Sequence, residues 1–495
     1  MPSKLSEHSF KKGKFTTPLN AIMSNVSDDK SWTYSRMPEY FWIALIFEQY
    51  GRKIGLEKLY KIICDLHRLA PNMHVPRMSE ILLLEPEIQR EFYSCILNII
   101  DKKTLAPLTL FLTLSKYPEF ANSFYTKELD VTDRINRITK TMKPIMGHQT
   151  KDATDIRFVV LYFECMSGKL KMRDEDAERL LKYPKLEHDN EEMRMIRPFV
   201  RSLELMCLKF EESNMEYLNC FWECVSEMTE CELMCIKFPK EERKMNEYME
   251  YVYEIFDYWV DLFKETIPLD DKTQVLLGIG TYSYRRLKEI YNHDLFNSIA
   301  GRSCVRVLIE NYIMMKYLVK NESLHENIWK GYQFYGIGQY KLVLARYRES
   351  GEKRETHFDE KYIEALVNEF VIEESVDMDT RYFDNTNIRI KAESVDEKKL
   401  YGLYYDYDSA YEHGLWGAIR ESSMLKCNNP AHQYHCVPDI DDSNVLKTVL
   451  PDCVYVMNKT IEFLKNIYGI SEKLFEGVKK IEKEFIDSRD GDTTK

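Results

Sequence analysis

No run of this sequence reaches the ~18 uncharged apolar residues that would span a bilayer, so no membrane-spanning helix and no membrane partner are expected. The first residues also lack the apolar core of a secretory signal, which points to the cytoplasm. Positive charge is not in excess: 69 Lys and Arg stand against 81 Asp and Glu, a formal net charge of −12. That balance gives no general electrostatic reason to expect a nucleic-acid surface, although Lys4, Lys11, Lys12 and Lys14 make the N-terminal segment locally basic. A disulfide framework is not expected either, because 12 cysteines in so long a chain, with no secretory signal, read as reduced thiols.

The familiar catalytic templates are missing as well. There is no Walker lysine motif, no His-Glu-x-x-His and no Gly-x-Ser-x-Gly elbow. Gly278-Ile279-Gly280 and Gly336-Ile337-Gly338 lack the third glycine and the preceding strand that a phosphate cradle needs. Neither a fixed-period repeat nor many stretches of strand-like alternation are found.

What the sequence does contain is apolar residues recurring at three and four positions through nearly every segment. The fold class expected is all-α, and 495 residues are too many for one hydrophobic core, so multi-domain helical bundles are predicted. Hydrophobic residues at 44% and charged residues at 30% suffice to build those cores. Pro38 fits a first helical turn, and Gly51 fits a stop. We divide the chain into a basic N-terminal arm (1–36), an N-terminal helical domain (37–167), a charged connector with one short helix (168–190), a long-helix region (191–268) and a C-terminal helical domain (269–495). Long helices are read over Glu191 to Ser213, Met215 to Ile236 and Lys240 to Thr266, and a long loop or hairpin over Thr380 to Lys399.

Cys220, Cys224, Cys231 and Cys235 fall within about 60° of one helical face if the helix runs unbroken. At ~1.5 Å rise per residue the two pairs would sit about 16 Å apart, too far for one ion, so the reading is a buried, metal-free stripe. The segment from Cys427 to Cys436 gathers two thiols with His432 and His435, but its spacing differs from known fingers, and an ordered Asn-Pro loop is expected instead. No cofactor and no metal are assigned.

Two Arg-x4-6-His matches occur, Arg68 with His74 and Arg286 with His293. Composition alone accounts for as many. A richer constellation begins at Gly301. Val305, Leu308, Ile309, Tyr312, Met315 and Val319 make an apolar helix face, and Arg302, Arg306 and Glu310 form a charged stripe along its border. A second helix is expected from Tyr405 to Met424, presenting Ser409, His413, Trp416 and Arg420 on one side. Its Gly414 and Gly417 each cost ~1 kcal/mol relative to alanine and suggest a close approach by a helix or ligand. The candidate catalytic residues are therefore Arg302, Glu310 and His413, supported by Arg306, Ser409 and Arg420, and Arg302, Glu310 and His413 are expected to meet between two helices.

At these residues the C-terminal portion, roughly Leu269 to Gly469, resembles an uncharacterised family of bacterial helical domains, a "domain of unknown function" family. The resemblance rests on the Arg302 to Glu310 helix leading into Lys316-Tyr317-Leu318, on Ser409 four before His413, and on the Asn429-Pro430-Ala431-His432 loop. Such domains look like HEPN-type bundles, in which a histidine and an arginine of a dimer act on the RNA 2′-hydroxyl and phosphate. The resemblance thus implies a bacterial defence or stress effector, a metal-independent ribonuclease candidate with RNA as partner, acting as a homo-dimer or with a partner protein. In this chain His413 precedes Arg420, the reverse of the HEPN order. The alternative is a non-catalytic helical sensor or scaffold, in which the same polar cluster only fixes helix register.

Overall fold

The computed structural model describes residues 4–18, 31–168, 173–207, 214–243, 245–265, 270–351, 356–369 and 371–490. The protein is all-α, with about 70% of residues helical. The strands among the described residues are two to four residues long. No helix among the described residues is long and apolar enough to cross a membrane. The chain forms two compact units, the first made of Met1–Met234 with Lys426–Cys436, the second of Cys235–Leu425 with Val437–Lys495. The boundary thus falls inside the expected long-helix region, and the chain returns once to the first unit.

In the first unit, helix α1 (Phe41–Leu69) is the core element. Six successive residues from Phe41 to Ile46 are buried, so its first half is apolar all round and needs neighbours on every side. Those neighbours include α2 (Pro86–Ile99), α3 (Val131–Ile145) and α4 (Lys151–Met166). Gly51, at φ +70°, interrupts α1 where the sequence suggests a stop, and the helix resumes beyond it. The 168–190 connector does not separate domains. Leu180 and Tyr183 pack with Phe158 and Leu161 of α4 and with Met193, Ile196 and Val200 of α5 (Met193–Cys207) in one cluster. Nor is 1–36 wholly an arm: Ser9–Lys11 and Lys14–Thr16 pair as a hairpin, but Trp32, Ser35 and Arg36 are buried. Arg36 and Arg157 both pair with Glu204, which is fully buried, and both guanidiniums lie against the Trp32 ring.

Helix α6 (Met215–Glu227), N-capped by the Asn214 side chain, ends nine residues before Ile236. The cysteine stripe is accordingly broken. Cys220 and Cys224 are partly buried on α6, whereas Cys231 and Cys235 are exposed beyond it. Periodicity loses here to tertiary pairing, because β3 (Leu233–Met234, the first two strands being the hairpin) aligns Leu233 with Cys427 and Met234 with Lys426 of the returning segment.

The second unit is built around α9 (Ile299–Asn321), flanked by α8 (Asp271–Asn292), α10 (Ile328–Ser350), α12 (Ile388–Ser394), α13 (Asp406–Glu412) and α15 (Leu450–Tyr468), with α7 (Asn246–Lys264) packed on α8 and α11 (Glu360–Val367) packed on α10. Ser298 caps α9 by accepting from Gly301 N–H. Val305, Leu308, Ile309, Tyr312 and Met315 are buried as the period predicts, and Val319 is partly buried against them.

Two expectations fail in this unit. The 380–399 segment is no simple loop, since it carries a short turn at Phe383–Asn385 and then α12, capped by Asn387. The helix expected from Tyr405 to Met424 is two helices, α13 and α14 (Trp416–Ser422). Gly414 stops the first at φ +56°, its N–H donating to Tyr411 O at 3.3 Å while Leu415 N–H donates to Ala410 O at 2.9 Å, the paired bonds of a Schellman motif. Gly414 is present for its left-handed backbone, since among the described residues nothing lies within 4 Å of a Cβ built on it or on Gly417. Among the described residues no other helix makes the close approach expected there.

Candidate functional site

A cavity of about 620 Å³ opens in the second unit. Arg306, Glu310 and Met314, spaced by four on α9, form one wall, because residues four apart stack along one side of a helix. Tyr332 and Tyr335 of α10 face it, the 382–391 segment supplies Tyr382, Phe383, Asn387, Arg389 and Lys391, and the stretch from Tyr401 through α13 supplies Tyr401, Tyr405, Ser409 and His413.

Arg306 organises the floor. Its Nη2 donates to the Tyr405 hydroxyl at 3.1 Å and lies 3.8 Å from Glu310 Oε2, and the same hydroxyl donates to Glu310 at 3.5 Å. Arg306 Nε is buried with no hydrogen-bond partner among the described residues. A buried donor left unpaired costs about 1–3 kcal/mol. Burial, with the Glu310 carboxylate close by, raises the pKa of both Tyr405 and Tyr332 and keeps them as neutral donors. Lys391 is 2% exposed and donates to the carbonyls of Phe383 and Thr386. Burial pushes its pKa down to about 8 against the pull of Asp384 and Glu310.

Of the residues singled out from sequence, Arg306, Glu310, Ser409 and His413 line this cavity. His413 is exposed at its rim, held as the C-cap of α13 by its N–H to Ser409 O at 3.2 Å. Arg302 and Arg420 do not line it. Arg302 is 2% exposed, donates to Lys447 O at 2.6 Å and Ser298 O at 3.4 Å, and lies over the Tyr411 ring. One helical turn from Arg306, it fastens the start of α9 to the segment before α15, and so does not join Glu310 and His413 as expected. Arg420 donates to Met424 O at 3.1 Å, which closes the end of α14. Sequence reasoning missed Lys391, Arg389 and the tyrosines, although the aromatic run Tyr401-Gly402-Leu403-Tyr404-Tyr405 and the Tyr332 and Tyr335 pair were visible signals. The Arg-x4-6-His matches lie elsewhere: Arg68 pairs with Asp65 and Glu91, and Arg286 with Glu289.

The cavity walls from Arg306 to His413 occupy one continuous part of the chain. Residues 282–432 match a family of unknown function (DUF5677). The matched span covers every residue that lines the cavity, and lies within the 269–469 stretch singled out by resemblance. No curated protein and no solved structure matches the chain.

A second grouping lies in the first unit. Cys231, Cys427, His432 and His435 bring one ligand-type atom each to within 4.8 Å of one another. Cys220, Cys224, Cys235 and Cys436 are not among them.

Proposed function

We propose that the cavity of the second unit binds single-stranded RNA and cleaves it at His413, as the effector of a bacterial stress or defence response. The observation that carries this reading is the joint presence of cationic donors and unsaturated rings in one cavity. Arg306 and Arg389 suit a phosphate, the tyrosine rings suit an unstacked base, and His413 stands at the rim. Base stacking on an aromatic ring is worth about 1–3 kcal/mol per base and is tolerant of sequence. In the proposed step His413 takes the proton of a ribose 2′-hydroxyl, whose oxygen forms a bond to the adjacent phosphorus. The bond from phosphorus to the 5′-oxygen breaks, and that oxygen leaves with a proton from water. Arg306 holds the phosphoryl oxygens as their negative charge grows. The products are a 2′,3′-cyclic phosphate and a 5′-hydroxyl.

A second reading, a sensor that binds without cleaving, is favoured by the state of Arg306. Its guanidinium is already engaged with Glu310 and Tyr405, so an incoming phosphate would have to exchange with a carboxylate. Incubation of the full-length protein with end-labelled single-stranded RNA separates the two. Cleavage should yield cyclic-phosphate ends and be lost in His413→Ala, with the melting temperature unchanged because the imidazole is exposed. Binding without fragments selects the sensor, and no binding at all by the wild-type protein removes both readings.

A further inference from the structure

The four-residue cluster of the first unit has the composition and the geometry of a closed zinc site. Cys231 Sγ lies 3.2 Å from His432 Nδ1 and 3.2 Å from His435 Nε2, and Cys427 Sγ lies 3.7 Å from His432 Nδ1. Bonds of ~2.3 Å to sulfur and ~2.05 Å to nitrogen at tetrahedral angles separate a thiolate from an imidazole nitrogen by about 3.5 Å. The observed spacings bracket that value. Two thiols and two imidazoles are a common structural zinc set, and four protein ligands leave no position open for substrate.

The local fold explains why these four converge. The strand register that places Leu233 opposite Cys427 brings Cys231 beside the returning segment, and Asn428 N–H donates to Glu232 O at 2.8 Å. Asn429 caps the turn Pro430–His432 through its side chain. Gln433 and Tyr434 both take left-handed backbone at φ +52°, which turns the chain back so that Cys427 N–H donates to His435 O at 2.9 Å. That reversal directs His435 toward Cys427 and leaves the adjacent Cys436 out of the cluster. Ala431 and Tyr434 pack on the main core of the first unit, so the loop rests on a firm base.

The outer contacts are those that a metal ligand needs. His432 Nε2 lies 3.2 Å from Ser226 O and 3.1 Å from Thr229 O, both acceptors, so this nitrogen carries the proton and Nδ1 presents a lone pair toward the sulfurs. Asn429 N–H donates to Cys427 Sγ at 3.4 Å, an amide contact that favours the thiolate. Cys427 itself is fully buried.

We propose that Cys231, Cys427, His432 and His435 bind one Zn²⁺ tetrahedrally and fasten the returning segment 426–436 to the first unit. Binding converts both thiols to thiolates and releases their protons to solvent, with His432 coordinating through Nδ1 and His435 through Nε2. The ligands span 201 residues between Cys231 and His432, a separation that no local sequence motif reveals.

The test uses the full-length protein purified without chelator. Elemental analysis should return about one zinc per chain, and replacement by Co²⁺ should give tetrahedral d–d bands with thiolate-to-cobalt charge transfer. Cys231→Ser and His435→Gln, both at exposed positions, should each lose the metal, and Cys427→Ser should do the same if it folds. Cys220→Ser and Cys224→Ser should retain it. Chelation should lower the melting temperature of the wild-type protein by more than about 5 °C and leave that of Cys231→Ser unmoved. A wild-type protein without zinc that gives no such cobalt spectrum overturns the proposal. So does zinc retained by both Cys231→Ser and His435→Gln, or a Cys231–Cys427 disulfide found by mass spectrometry of the native protein.

Discussion

The guanidinium of Arg306 meets Tyr405 twice, through a hydrogen bond of 3.1 Å to its hydroxyl and through its ring, whose centre lies 5.1 Å from Cζ. One tyrosine thus sets the angle of the arginine in the cavity while Glu310 offsets its charge. The ion pair itself, partly exposed, contributes only about 0.3–0.5 kcal/mol to stability, and a melting curve of each variant separates the loss of the Tyr405 contacts from an effect on binding.

Arg306→Gln should weaken binding of single-stranded RNA by tenfold or more, because a charge-assisted hydrogen bond is worth about 1.5–3 kcal/mol. Glu310→Gln should have the opposite sign and tighten binding, since it removes a carboxylate that competes with phosphate for Arg306. Fluorescence anisotropy at fixed salt compares the two. If both variants weaken binding equally, Glu310 contacts the ligand directly and does not compete with it.

The helix class and the polar face of α9 were legible because both rest on local period. Arg306 and Glu310 at a spacing of four fall on one wall whatever the tertiary structure, and Val305, Leu308 and Ile309 fall on the buried side. The break at Gly414 was misread because a mid-helix glycine and a Schellman glycine look alike in sequence; only the backbone bonds to Ala410 and Tyr411 separate them. Cys231 was misplaced for a related reason. A helical period continues through Ile236, but α6 ends at Glu227 and Leu233 and Met234 pair instead with a strand nearly 200 residues away. Lys391 and Tyr382 were overlooked because a polar stretch with turn formers reads as a loop, and a loop's aromatics reveal their use only once folded against α9 and α10.

Gly338 of α10 should resist substitution despite lying mid-helix. A Cβ there would collide with the carbonyl of Asp377, a backbone atom that cannot rotate away. Alanine gains ~1 kcal/mol in helix propensity over glycine, while forced overpacking costs about 1–3 kcal/mol, so Gly338→Ala should be destabilising on balance. The displaced 377–383 segment carries Tyr382 and Phe383 of the cavity, and RNA affinity should fall with the melting temperature. An unchanged melting temperature would mean that this segment yields freely and does not hold the cavity wall.

Asp408 supplies a pH dependence whose sign is informative. The side chain is 4% exposed beneath α9, and burial raises its pKa to about 7 in spite of the nearby Arg302 guanidinium. In the unfolded chain the same carboxyl titrates near ~3.9. Between these values the folded protein holds a proton that the unfolded protein has released, so stability from this group is complete below about pH 4, declines as pH rises, and is lost above about pH 7. Asp408→Asn mimics the protonated form and should escape that decline. Its melting temperature relative to wild type should therefore be least favourable near pH 5 and rise steadily to pH 8, as followed by thermal unfolding of both proteins across that range. A flat difference across that range would mean that attraction to Arg302 outweighs burial, because a carboxyl whose folded-state pKa is at or below its unfolded value is ionised in both states from about pH 5 upward.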